Sequence, residues 1–123
     1  MTGSTEAGRS QHLSAAHHAV DGVHVVTPRG EIDHTTKDLL QAALLDQDDP
    51  SSEPPRVVAD LEGVTFMDSS GINILISANR HLTEAHGWLR VAAAQQAAQR
   101  VLSLVGLDTV IGCHPTLEQA LHH

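Results

Sequence analysis

Tyrosine is absent from this chain, and phenylalanine, tryptophan and cysteine occur once each, as Phe66, Trp88 and Cys113. The core must therefore be aliphatic, built of Val, Ile, Leu and Ala, and the 41% hydrophobic content is enough for one. A single cysteine excludes an internal disulfide and suits a reducing compartment. It reads as a small packing residue rather than a reactive one. Basic residues are scarce: seven Lys plus Arg stand against 15 Asp plus Glu, a formal charge of −8. With no basic cluster, nucleic acid is not expected as a partner. No apolar run approaches the roughly 20 residues that span a bilayer, so no membrane association is expected. Met1–Gln11 carries no apolar stretch of the kind a secretory signal needs, and a cytoplasmic location is expected.

Catalytic and cofactor signatures are missing as well. The ten histidines form no H-E-x-x-H pair and no second cysteine is available, so no metal site is expected. There is no glycine-rich phosphate loop and no G-x-S-x-G elbow. The chain reads as a non-enzyme that needs no cofactor.

At 123 residues it fits one domain. Residues 1–11 are small and polar and read as a disordered tail, leaving 12–123 as the domain. His12–Val20 reads as a half-exposed first strand, Asp21-Gly22 as a hairpin turn and Val23–Thr27 as a second strand. Pro28 is expected at that strand's end or on an edge. A helix is expected over Thr35–Leu45, capped by Asp33 or Thr35, with Thr35 and Asp38 as an approximate capping box. The acidic segment 46–55 reads as a mobile loop.

Val57–Leu61 is a short apolar run typical of a strand buried on both faces. Trp88–Ala93 reads as the next strand and Gln95–Val105 as a helix ended by Gly106. Thr109–Gly112 reads as a last short strand, and Thr116 with Gln119 starts a terminal helix. Strands alternating with helices imply an α/β fold, with a mixed, largely parallel sheet of four to five strands and about four helices.

The most informative stretch is Arg56–Leu82: a buried strand, a tight connection, and a helix opening on Asp68-Ser69-Ser70-Gly71. That helix, broken by Gly87, is apolar on most sides, with Ile72, Ile74, Leu75, Ile76, Ala78 and Leu82. Its polar stripe runs Asn73, Ser77, Arg80, Glu84, and four residues before Asn73 stands Ser69. Ser69 therefore opens the solvent-facing stripe of an otherwise buried helix. By itself the segment is either an N-cap with a permissive glycine or a phosphoryl acceptor.

Two motifs resemble one family, the bacterial anti-sigma factor antagonists built on the STAS domain. Gly30-Glu31-Ile32-Asp33-His34-Thr35 resembles its G-E-[LI]-D segment. Val58-Ala59-Asp60-Leu61 followed by Val64-Thr65-Phe66-Met67-Asp68-Ser69-Ser70-Gly71 resembles its strand and phosphorylation loop. Departures are Pro28, Asn73 where a small residue is common, and the longer acidic loop.

The resemblance implies a STAS-like fold and a partner switch. The unphosphorylated protein would bind an anti-sigma factor that is also a serine kinase, releasing a sigma factor. Phosphorylation at Ser69 would end that binding, and a metal-dependent serine phosphatase would reverse it. Asp33, Asp68, Ser69, Ser70, Gly71 and Asn73 would form the partner-binding surface. Asp60, like Asp33, is expected at a strand end on the side of Ser69, either meeting the partner or holding the loop. The alternatives are a STAS subunit of a membrane lipid or anion transport system, and a small-molecule-sensing STAS module.

Overall fold

The computed structural model describes residues 13–45 and 54–122. The expected tail at 1–11, His12 at the head of the first strand, and residues 46–53 of the acidic loop lie outside the described residues.

β1 (Leu13–Val20) and β2 (Val23–Ile32) pair antiparallel across Asp21-Gly22. Both turn residues have positive φ, 52° and 82°, as a two-residue hairpin with the right-handed twist of its strands demands. β2 does not stop near Pro28 but runs through it to Ile32. The reason is a change of partner. β3 (Arg56–Asp60) pairs with His24–Val26 and β4 (Gly63–Met67) with Arg29–Ile32, both parallel, so Pro28 faces the gap between them. A Cβ on Gly63 would lie 3.3 Å from the Pro28 carbonyl oxygen, which shows that this side of the proline backbone faces β4. The N–H that proline lacks is thus missing where no ladder bond is due.

β4 was not expected as a strand. Its burial is irregular because a bulge between Gly30 and Glu31 of β2 leaves Thr65 without an opposite number. With it the sheet has six strands, in the order β1-β2-β3-β5-β6 with β4 joined to β2. β5 is Trp88–Ala92 and β6 is Gly112–His114, both parallel to β3. The fold class is the mixed, largely parallel α/β arrangement read from the sequence.

The helices are α1 (Lys37–Leu45), α2 (Ser69–Glu84), α3 (Gln96–Leu104) and α4 (Leu117–His122). One face of the sheet, with Val26, Ile32, Val57, Ala59, Leu89 and Val91, packs on Leu40 and Leu44 of α1, Leu75 and Leu82 of α2, and Leu102 of α3. The other face, with Val23, Val25, Val58 and Ala92, is covered by α4 through Ala120, Leu117 and Leu121.

Two chain reversals differ from expectation. α2 ends in a left-handed residue, but it is His86 (φ 68°) and not Gly87. The Gly87 N–H returns to the Leu82 carbonyl at 2.8 Å, closing the turn. Gly87 is needed for contact instead, since a Cβ there would stand 1.8 Å from the Pro55 carbonyl oxygen. The last strand also begins later than Thr109. Gly106 (φ 74°) ends α3 as expected, but Leu107–Thr109 then form a 3₁₀ turn that buries Leu107. The N–H groups of Val110 and Ile111 both bond back to the Leu107 carbonyl, so pairing starts only at Gly112. Thr116 Oγ1 accepts the Gln119 N–H at 3.1 Å, giving α4 the cap foreseen for it.

Candidate functional site

The site forms where β2 and β4 end side by side. Ile32 pairs with Met67, and the Asp68 N–H donates to the Ile32 carbonyl at 3.1 Å, extending the ladder by one bond. Asp33 and Asp68 therefore leave adjacent strand ends and each controls the turn that follows.

Asp68 is the N-cap of α2: its backbone is extended and its Oδ1 accepts the Ser70 N–H at 2.8 Å. The preference of Asp for this place follows from the unpaired amides of a helix's first turn. Ser69 is the first helical residue and is exposed, while Ser70 is half-buried. Gly71 is buried, and a Cβ there would stand 2.5 Å from Met67 Cγ and 2.8 Å from Ile32 Cγ2. Only glycine lets the first turn of α2 press this closely on the two strand ends. Asn73, Ser77, Arg80 and Glu84 are all exposed, so the polar stripe headed by Ser69 is real. Ile76 departs from the expected burial and is 40% exposed.

Asp33 holds the turn into α1. Its Oδ1 accepts from the Thr35 hydroxyl at 2.6 Å, the Thr35 N–H at 2.9 Å and the Thr36 N–H at 3.2 Å. The Thr36 hydroxyl accepts the Asp33 N–H and donates to the Glu31 carbonyl, each at 2.9 Å. The reciprocal box is thus Asp33 with Thr36, whereas Asp38 turns to Lys37 Nζ at 3.3 Å. The bond from the Thr35 hydroxyl, followed by that from its N–H, stabilises the charged form and holds the Asp33 carboxyl below its ordinary pKa.

Asp60 does not join this site. It is buried, and its Oδ1 accepts the Glu62 N–H at 3.1 Å in the β3–β4 turn, so it holds a loop. Because β3 and β4 occupy successive stretches of β2, the end of β3 lies level with Thr27, five residues short of Ile32. At about 3.3 Å per residue that is roughly 17 Å from the level of Asp68. The sequence reading had the strand ends in one row.

Two features escaped the sequence. Thr36 is a buried hydroxyl tying Asp33 to Glu31. Phe66 is 48% exposed, two residues before the cap, and its position follows from a strand that alternation did not reveal. Among the described residues no group of three His, Cys, Asp or Glu is placed to hold a metal ion. No helix among them is long and apolar enough to cross a membrane.

Residues 15–120 match the STAS domain family. The chain belongs to it. A solved anti-sigma factor antagonist from Mycobacterium paratuberculosis is 34% identical, with a TM-score of 0.78 covering 89% of this chain and 92% of that one. The anti-sigma F factor antagonist of Paenibacillus polymyxa is 27% identical over 109 residues, 89% of this chain and 91% of that protein. The anti-sigma-F factor antagonist RsfB of Mycobacterium tuberculosis is 31% identical over 101 residues, 82% of this chain and 80% of that protein. The matched span of this STAS domain contains both strand ends, both caps and the whole of α2.

Proposed function

We propose that this STAS domain is an anti-sigma factor antagonist whose binding is switched by phosphorylation of Ser69. In its unmodified form it binds an anti-sigma factor serine kinase and frees a sigma factor. The kinase phosphorylates Ser69, and a metal-dependent serine phosphatase restores the binding form. The domain is a substrate of these enzymes and not itself an enzyme. The names of the relatives support the class, and one observation carries the reading: Ser69 is exposed at the head of α2, next to a capping carboxylate.

Neighbouring hydroxyls are less available. Ser70 is half-buried with its N–H bonded to Asp68, and the Thr65 hydroxyl donates to the Gly30 carbonyl at 3.3 Å. The partner surface comprises Asp33, Asp68, Ser69, Ser70 and Asn73, with Gly71 beneath it. Asp33 Oδ1 is engaged internally, leaving its other oxygen for a basic group on the partner.

Phosphate mapping by mass spectrometry, after incubation with ATP and the cognate anti-sigma factor kinase, tests the assignment. Phosphate on Ser69 is expected. Phosphate confined to Ser70 or Thr65 would sink it.

A further inference from the structure

We propose that a hollow at the N-terminal ends of the parallel strands binds a small organic anion bearing a phosphate or carboxylate group. The cavity measures about 300 Å³ and is walled by Arg56, Trp88 and Arg90, with Val20, Val23 and Leu121 as its apolar part. Strand register brings the cations together. Arg56 pairs with Trp88 at the first positions of β3 and β5, and Arg90 follows two residues along β5, so all three share one face.

The Arg90 guanidinium is held in place. It lies 3.7 Å from the centroid of the Trp88 ring, and its Nη1 donates to the Ala120 carbonyl at 2.8 Å. One bond leaves most of its N–H donors for a ligand. The Arg56 guanidinium lies over the hairpin turn, where a Cβ on Gly22 would stand 2.6 Å from its Nη2. Neither arginine has an ion-pair partner among the described residues, although Asp21 stands at the cavity rim.

Arg56 and Arg90 are both half-buried, and two such cations with no ion pair among the described residues are unusual in a chain of net charge −8. Burial holds the Arg90 pKa below its ordinary value, as expected of a cation that loses part of its water. A bidentate oxyanion would supply the missing partner for the arginine forks. The volume is at the small end of ligand pockets, about 300–1,000 Å³, which limits the ligand to a compact aryl or short alkyl group on the anion. β2 spans ten residues, so the cavity lies about 30 Å from Ser69 and is independent of the proposed switch.

Trp88 is the only tryptophan and tyrosine is absent, so intrinsic emission reports directly on this cavity. The full chain is titrated at fixed ionic strength with phenyl phosphate, benzoate and inorganic phosphate, with benzyl alcohol as the neutral control. A saturable change is expected with phenyl phosphate below about 10 mM, weakened at least tenfold in Arg56→Gln, and partly restored in Arg56→Lys. The benzoate and inorganic phosphate arms decide which headgroup the site prefers. Lack of saturation with all three anions, equal affinity in Arg56→Gln, or an equal response to benzyl alcohol would overturn the site. If circular dichroism shows that Arg56→Gln does not fold, Arg56→Lys decides: affinity for phenyl phosphate equal to wild type would reject the bidentate contact.

Discussion

Gly71 packs so closely on Met67 that a Cβ would stand 2.5 Å from the methionine Cγ. The first turn of α2 thereby rests on the end of β4, and the position of Ser69 depends on that contact. In Gly71→Ala, higher helix propensity favours the variant by about 1 kcal/mol, while overpacking against Met67 and Ile32 costs about 1–3 kcal/mol. Net destabilisation of up to roughly 2 kcal/mol is expected, read from urea unfolding. A gain in stability would mean that the Met67 side chain gives way and that the contact does not fix the turn.

Asp33 gives a pH dependence of known sign. Its folded pKa is lowered by the Thr35 and Thr36 bonds, so its stabilising contribution is present above the unfolded pKa, near 4. That contribution is lost as pH falls through the lower folded value. Replacing Asp33 with Ala should therefore lower the unfolding midpoint near pH 6, and the gap from wild type should close progressively below about pH 4. A gap that widened in acid would contradict the bonding described for its Oδ1.

His86 holds a left-handed conformation at φ 68° without glycine's freedom. His86→Gly should stabilise the fold by about 0.5–1 kcal/mol, because the strain removed exceeds the added chain entropy. Thermal unfolding checks this: a lower midpoint in the variant would show that the imidazole makes a contact worth more than the strain.

The same residue shows how far sequence carries. A glycine after an apolar helix marks the reversal, and Gly87 indeed lies in it, yet the left-handed place falls on His86. Gly87 is instead required by the close approach of Pro55, a tertiary contact that helical spacing does not reveal. β4 escaped for a related reason: its bulge at Thr65 destroys the two-residue alternation by which a strand is recognised. Pro28 concealed the length of β2, since the gap between β3 and β4 that tolerates it arises only in the assembled sheet. Local periodicity served better for α2, where Ser69 and the exposed residues of its stripe follow from helical spacing alone. Asp60 could not be placed by such spacing, because its distance from Asp68 depends on two strands sharing one side of β2.

Phosphorylation of Ser69 should alter binding while leaving the fold intact. The phosphate adds about −1.5 to −2 charges at the N-terminus of a 16-residue helix. The helix end favours an anion by roughly 0.3–1 kcal/mol when exposed, but Asp68 already occupies the Ser70 N–H and repels it. The two effects are similar in size, so stability should change by less than about 1 kcal/mol. At an interface that excludes water no such offset exists, and an unpaired charge costs about 2–5 kcal/mol, at least tenfold in affinity. Ser69→Ala should bind the kinase as the unmodified protein does and resist switching, whereas Ser69→Glu, with a smaller charge, should bind more weakly than wild type but better than the phosphorylated form. Calorimetry on the four forms, with circular dichroism and thermal unfolding in parallel, separates the effects. Equal affinities would remove Ser69 from the switch. A collapse of the tertiary signal on phosphorylation would make the switch an order–disorder transition and refute a mechanism acting at the binding surface.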